Sequence, residues 1–322
     1  MKPWVRWLGA GLAVAGSAVF VAQVVASLEV TDLLDRLTPT AALALAGCTV
    51  LYCLSVPLAG LAWQRLLSGL GHRTDLARLQ AILLTTQVGK YLPGNVGQHL
   101  GRIALSLSLG IPATLLVVSM AYEVVLVLFA VAMTALIAGA MSGPGLTLLL
   151  IDDRGETIVA AVALALAGLV AIAALGKVLP SLVRRLSSQR ANMDLVPALP
   201  IAIVVEVVAI TALSVVCVGS GLALLSGGLF PSAPVDLALL TAAFSIAWAA
   251  GFVTPGAPAG IGVREALMLV MLGPALGESD AAILILGLRV ATTLGDVLCF
   301  AAGVPLLARV RRTEIQRNVP LP

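Results

Sequence analysis

The sequence predicts an all-α polytopic integral membrane protein, with about six full spans and two broken or re-entrant helix pairs in an inverted-topology repeat. Three observations predict it. First, the chain is 60% hydrophobic and only 11% charged, whereas soluble domains carry about 25% charged residues. So lean a composition requires apolar surface to face lipid. Second, the apolar residues gather into runs of the ~20 residues a helix needs to cross the hydrocarbon core. Third, the intervening loops alternate in Lys and Arg content, as the positive-inside rule requires. The alternating ~10-residue segments of an outer-membrane barrel do not occur in it.

Taken in order, the run 7–28 follows Lys2 and Arg6. It is longer than the ~7–15-residue apolar region of a signal peptide, so it reads as a first span with the N-terminus inside. Glu29, Asp32 and Asp35 against Arg36 put the next loop outside. The second span, 41–66, returns to Arg65, Arg73 and Arg78 on the inside, with Trp63 and Arg65 read as interfacial anchors. A broken region, 79–109, is interrupted at Pro93-Gly94. The span 113–140 leads to an acidic outer loop with Asp152, Asp153 and Glu156. The span 158–179 leads back to Lys177, Arg184, Arg185 and Arg190, and 199–225 leads out again. A second broken region, 237–276, is interrupted by "TPGAPAGIG", and the last span, 281–307, ends on Arg309, Arg311, Arg312 and Arg317 inside.

This charge parity holds only if each broken region returns to the side it came from. Each is then a re-entrant hairpin or a pair of short crossings, and parity does not separate the two. The order of elements repeats upside down, as in many secondary transporters. The whole chain, 1–322, is one transmembrane domain, with a first half over 1–140, a second over 158–308 and a cytoplasmic tail over 309–322.

Chemistry is sought where charge lies at membrane depth, since an ionised side chain there costs roughly 2.5–3.5 kcal/mol on insertion scales and marks function. At the first break, Pro93 ends one half-helix and Gly94 and Gly97 allow tight backbone. Asn95 is a suitable N-cap for the next half-helix, whose free N–H groups face the break. Lys90 and Arg102 add cations, giving an anion site; the alternative is that both snorkel to headgroups. The second break repeats the logic with Pro255, Gly256, Gly260 and Arg264, and Glu265 suits the positive end of the following helix. Its alternative is an interfacial Arg264–Glu265 pair. Glu123 and Arg289 lie at comparable depths in their spans and are expected to pair as a gate or strut. Glu206 and Asp296 read either as proton-titrating carboxylates or as carboxylates hydrogen-bonded to neighbouring helices.

Other chemistries lack material. Cys48, Cys53, Cys217 and Cys299 lie in apolar runs without a CxxC, and His72 and His99 are the only histidines, so no metal site is expected. No phosphate-binding glycine motif of a nucleotide-dependent enzyme is present. No cofactor, catalytic constellation or nucleic-acid partner is expected.

"GKYLPGNVGQHLGR" and "PGAPAGIGVREA" resemble the signature segments of the flippase-like transmembrane domain of lysylphosphatidylglycerol synthase. Trp63, Arg65, Leu66 and Leu67 match that family's early W-x-R-L-L, Glu123 its mid-span Glu, and Leu288 and Arg289 its late L-x-R. The chain departs from the pattern at Gln98, where the family often has Glu, and at Val127, where it often has Asp. The resemblance is to the stand-alone form of the domain, without the aminoacyl-transferring part, so no lipid aminoacylation is expected. It implies a lipid flippase of a bacterial-type plasma membrane, both termini cytoplasmic, acting on a phosphate-bearing lipid: a phospholipid, an aminoacyl-phospholipid or a polyprenyl-phosphate-linked glycan. Partners would be the membrane lipid and enzymes of lipid or glycan synthesis. The alternatives are a carrier of a small anionic solute or a non-catalytic membrane subunit of such a synthesis system.

Overall fold

The computed structural model describes residues 38–91, 97–142, 199–232, 236–254 and 257–317, together with Arg36 and isolated positions between 163 and 174. The helices are α1 (Pro39–Gly69), α2 (Leu76–Thr86), α3 (Gly97–Ser108), α4 (Ala113–Met141), α5 (Ile201–Leu229), α6 (Leu237–Val253), α7 (Val263–Leu276) and α8 (Glu278–Arg317). Short 3-10 turns, Gln87–Tyr91 and Pro258–Gly260, precede α3 and α7. No strand occurs among the described residues. The helices α1, α4, α5 and α8 are long and apolar enough to cross a membrane. They contain the expected spans 41–66, 113–140, 199–225 (from residue 201) and 281–307, while 7–28 and 158–179 lie outside the described residues apart from isolated positions.

Local chemistry sets the helix starts. The Thr38 hydroxyl accepts from the Ala41 N–H at 3.1 Å, with Pro39 following at the first helical position. Both broken pairs open on an aspartate cap: Asp75 accepts from Ala77 N–H at 3.3 Å and Asp236 from Ala238 N–H at 2.8 Å. The helix α8 runs past the apolar limit at 307 because its hydrogen bonds close internally in water as in lipid, and exposed Arg309, Arg311 and Arg312 suit its C-terminal end.

The first broken pair is a hairpin of short helices. With 11 and 12 residues, α2 and α3 are each about 17 Å long at ~1.5 Å per residue, well short of the ~30 Å hydrocarbon core. The Arg78 guanidinium donates to the Leu109 carbonyl at 3.0 Å, which brings the start of α2 beside the end of α3. The helices α6 and α7 are longer, at 17 and 14 residues.

Association in lipid rests on close packing rather than on escape from water. The central contact is α1 along α5, where a Cβ on Gly228 would lie 2.4 Å from the Ala44 side chain and one on Gly221 would lie 3.2 Å from Cys48 Cα. The remaining packing is reciprocal. The helix α2 lies on α8, and α6 lies on α4, so each pair's incoming helix leans on the long helix that follows the other pair. At one end of the long helices a single apolar core joins Cys48, Val131, Leu222, Leu240, Leu272 and Leu284. At the other end the core divides into two clusters, one around Trp63, Ile82 and Leu307 and one around Leu66, Leu126 and Val207.

The α2–α8 contact makes a sharp demand at Gly303, where a Cβ would lie 2.6 Å from the Thr85 backbone nitrogen. Gly303→Leu is expected to lose about 1–3 kcal/mol or more through overpacking. Gly227→Ala, with nothing within 4 Å of its Cβ, is expected to hold or raise stability. Thermal unfolding in detergent compares the two; equal midpoints would contradict the packing.

Candidate functional site

A cavity of about 290 Å³ opens where the core divides. Its walls come from all eight helices and the two 3-10 turns, which touch each other. Lys90, Arg102, Glu123, Arg264, Arg289 and Asp296 all line it. The two 3-10 turns therefore meet at one polar chamber inside an apolar bundle.

Three of the four cations in this chamber carry their own carboxylate. The Arg102 guanidinium, only 3% exposed, donates to both Glu123 oxygens, at 2.8 and 2.5 Å. Its flat face stacks 3.7 Å from the centre of the Trp63 ring, a cation–π contact strengthened by desolvation. Trp63 is fully buried and donates its indole N–H to Ser119 at 3.3 Å. The interfacial-anchor reading of Trp63 is thereby corrected: the ring supports a buried arginine. The snorkelling alternative for Arg102 fails for the same reason.

The expected Glu123–Arg289 pair is also corrected. Arg289 Nε donates to Glu265, whose other oxygen accepts from the Gly262 N–H at 2.6 Å. Glu265 lies three residues into the first turn of α7, so one carboxylate caps that helix and neutralises Arg289 of α8. Glu265 is thus buried and turned toward Arg289, not paired with Arg264 at an interface. The reason is local: each carboxylate finds the arginine on the helix next in sequence, α3 with α4 and α7 with α8, before it can reach across the chamber.

Lys90 belongs to a third cluster. Asp296, fully buried, accepts from Lys90 at 2.7 Å and from Tyr52 at 2.6 Å on one oxygen, and from Tyr91 at 2.6 Å on the other. Lys90 also donates to the Tyr52 hydroxyl at 2.7 Å. This ties the end of the first 3-10 turn to α1 and α8, and Lys90 points inward, not to headgroups.

Arg264 stands apart. Among the described residues it pairs with no carboxylate, and its guanidinium lies 5.3 Å from the Phe244 ring centre. Its stem passes between two glycines. A Cβ on Gly251 would lie 2.6 Å from Arg264 Cγ, and one on Gly260 would lie 2.7 Å from Cδ. The turn that makes this passage has positive φ at Ala259 (51°), Gly260 (70°) and Gly262 (86°). For Ala259 that conformation is unfavourable by roughly 1–2 kcal/mol.

Gly97 opens α3, and its first turn presses on Gly89, where a Cβ would lie 2.8 Å from the Gln98 nitrogen. Pro93, Gly94, Asn95, Pro255 and Gly256 lie outside the described residues. The reading of Glu206 as a buried, proton-titrating carboxylate is corrected. It is exposed on α5 and sits 3.4 Å from Arg65, because the cavity stripe of α5 runs through Val207, Thr211, Ser214 and Val218 and Glu206 is one residue out of that register.

Two contributions went unread in the sequence. One is Tyr52, which is one of 3 tyrosines in the chain and lies within an apolar span; that isolation is a legible signal. The other is the run Phe244, Trp248 and Phe252, aromatic at every fourth residue of α6 and lining the cavity, with the last two rings stacked 5.0 Å apart.

The family model described as "Lysylphosphatidylglycerol synthase TM region" matches residues 8–299. No curated protein matches the chain. With that match and the long apolar helices, the chain is a multi-pass membrane protein.

Removing one partner of a buried ion pair strands the other, at about 3–5 kcal/mol, whereas removing both is far milder. Glu123→Leu is therefore expected to lower the unfolding midpoint strongly, and the double variant Arg102→Leu/Glu123→Leu to recover part of that loss. Thermal unfolding of Glu123→Leu, Arg102→Leu and the double variant in detergent measures the coupling; a double variant as unstable as the sum of its singles would contradict the pairing.

Proposed function

The chain belongs to the family of the lysylphosphatidylglycerol synthase TM region, and from that premise we propose that it moves a phosphate-bearing lipid between membrane leaflets. The observation that carries the proposal is Arg264. Lys90, Arg102, Arg264 and Arg289 face three carboxylates, Glu123, Glu265 and Asp296, so among the described residues the chamber retains one positive charge. A phosphodiester supplies one negative charge, and guanidinium binds phosphate oxygens through paired, charge-assisted hydrogen bonds. The first turn of α3, which lines the same chamber at Gln98 and His99, adds N–H groups suited to an anion.

The volume of about 290 Å³ suits a headgroup rather than whole acyl chains, small ligand pockets starting near ~300 Å³. Val253 and Ile261, beside the second break, are exposed, which lets the chains stay in the bilayer while the headgroup crosses. Phospholipids, aminoacyl-phospholipids and polyprenyl-phosphate-linked glycans all carry the required phosphate.

The architecture behind this activity is six full spans and two broken pairs in an inverted repeat, 1–140 and 158–308, with the tail 309–322 and both termini in the cytoplasm of a plasma membrane. The reciprocal packing of α2 on α8 and α6 on α4 supports it, as does the mirrored use of an ion pair between each outgoing half-helix and the long helix that follows. Access alternates when the single core at one end opens and the divided core at the other closes. The protein acts as a translocator and not as an enzyme, beside enzymes that make or consume the lipid.

In proteoliposomes, Arg264→Ala is expected to abolish leaflet exchange of a fluorescent phosphatidylglycerol, read by quenching of the outer leaflet, with unfolding midpoint retained. Lys90→Ala is expected to reduce exchange as well. Full exchange in Arg264→Ala would overturn the assignment, and uptake of soluble phosphate in place of lipid exchange would make the protein a small-anion carrier.

A further inference from the structure

The polar groups of the chamber are unequally shared, and the imbalance bears on what the lipid carries beside its phosphate. Among the described residues each carboxylate of the chamber already holds a cation. Glu123 holds Arg102, Glu265 holds Arg289, and Asp296 holds Lys90 together with two tyrosines. The buried polar atoms left without a partner there are of the other kind. Arg289 Nη2 and Arg102 Nε are both N–H donors, and they are joined by His99 Nδ1, which lies near the charge of Arg102. Arg264 adds a further guanidinium within electrostatic reach of Arg289.

We propose that the translocated lipid bears an uncharged, hydroxylated headgroup on its phosphate, a glycerol or a sugar, and that the chamber turns away lipids bearing an ammonium. The inference rests on the function proposed above and narrows its substrate. Charge carries it. One phosphodiester brings the surplus of one positive charge among the described residues to zero. The ammonium of phosphatidylethanolamine would restore that surplus, and the two amines of a lysyl headgroup would double it. An ammonium has three donors and no acceptor, so it meets further donors and carboxylates already engaged. Like charges set side by side in a binding site suppress the wrong partner. A hydroxyl instead offers lone pairs to the idle guanidinium N–H groups.

The rest of the wall fits the same headgroup. Gln87, Gln98, Thr211 and Ser214 are neutral lining groups, which serve a hydroxyl but leave an ammonium's charge unmatched. Aromatic faces could hold an ammonium, but most of those in the chamber are in use. Lys90 lies 5.4 Å from the Tyr52 ring centre and 5.6 Å from that of Tyr91, Arg264 lies 5.3 Å from that of Phe244, and Trp248 and Phe252 stack on each other. That stacked pair is an apolar wall for the C–H groups of a polyol.

The test is leaflet exchange of tail-labelled lipids in phosphatidylcholine proteoliposomes holding the full chain. Phosphatidylglycerol or a prenyl-phosphate hexose is expected to exchange at least ~tenfold faster than phosphatidylethanolamine and lysyl-phosphatidylglycerol. The faster of the first two tells a glycerol from a sugar. The ethanolamine headgroup is no larger than glycerol, so its exclusion reports charge and not size. Gln98→Glu sets a carboxylate in the chamber at nearly constant volume, in the first turn of α3 where it suits the helix. It is expected to shrink the preference, while the wild-type comparison needs no variant. An ammonium lipid exchanged as fast as the favoured hydroxylated one, or an unchanged preference in folded Gln98→Glu, would overturn the discrimination and leave the phosphate site standing. No exchange of any of these lipids would overturn both.

Discussion

An ionised side chain inside a membrane protein is tolerated beside its counter-charge, and the interior of this chain is arranged around that constraint. Each pair also does a mechanical task. Arg102–Glu123 fastens α3 to α4, Arg289–Glu265 fastens α7 to α8, and Lys90–Asp296 fastens the first turn to α8. Breaking such a pair is expensive, which keeps the short helices in register although neither α2 nor α3 is long enough to anchor itself across the bilayer. The residual charge on Arg264 is then conspicuous, because among the described residues the other cations of the chamber, Lys90, Arg102 and Arg289, each have a carboxylate.

The same elements reconcile two opposed needs of the backbone. Interrupting a helix in hydrocarbon exposes N–H and C=O groups that have no water to satisfy them. Here the 3-10 turns beside the interruptions line a polar chamber, and glycines let chain segments come close enough to enclose it. Gly89 admits the first turn of α3, and Gly251 with Gly260 admits the stem of Arg264. Glycine's lack of a side chain, a liability inside a helix, is what permits these close approaches.

Much of this was legible beforehand. Hydropathy located α1, α4, α5 and α8, because lipid imposes a length and a polarity that composition reveals directly. The breaks were legible from Pro, Gly and cations in otherwise apolar runs, and Lys90, Arg102, Arg264 and Arg289 were singled out because charge in such runs is rare. What failed were the statements about who meets whom. Glu123 and Arg289 share a depth but not a neighbourhood, Trp63 has the sequence context of an anchor but the burial of a core residue, and Glu206 misses the cavity by one position of a 3.6-residue period.

The division between the two kinds of knowledge has a physical origin. The sequence by itself determined the membrane class, the places of the long apolar helices α1, α4, α5 and α8, and the residue types at the interruptions, since each depends on the solvent a segment sees and on its own backbone chemistry. Only the tertiary structure decided the partners, because pairing depends on helix rotation and on contacts between residues far apart in the chain. Asp296 meets Tyr52 across 244 positions and Lys90 across 206. No local pattern encodes such a meeting; it follows from α8 packing on α1 and α2 at distances that small residues such as Gly295 and Gly303 permit.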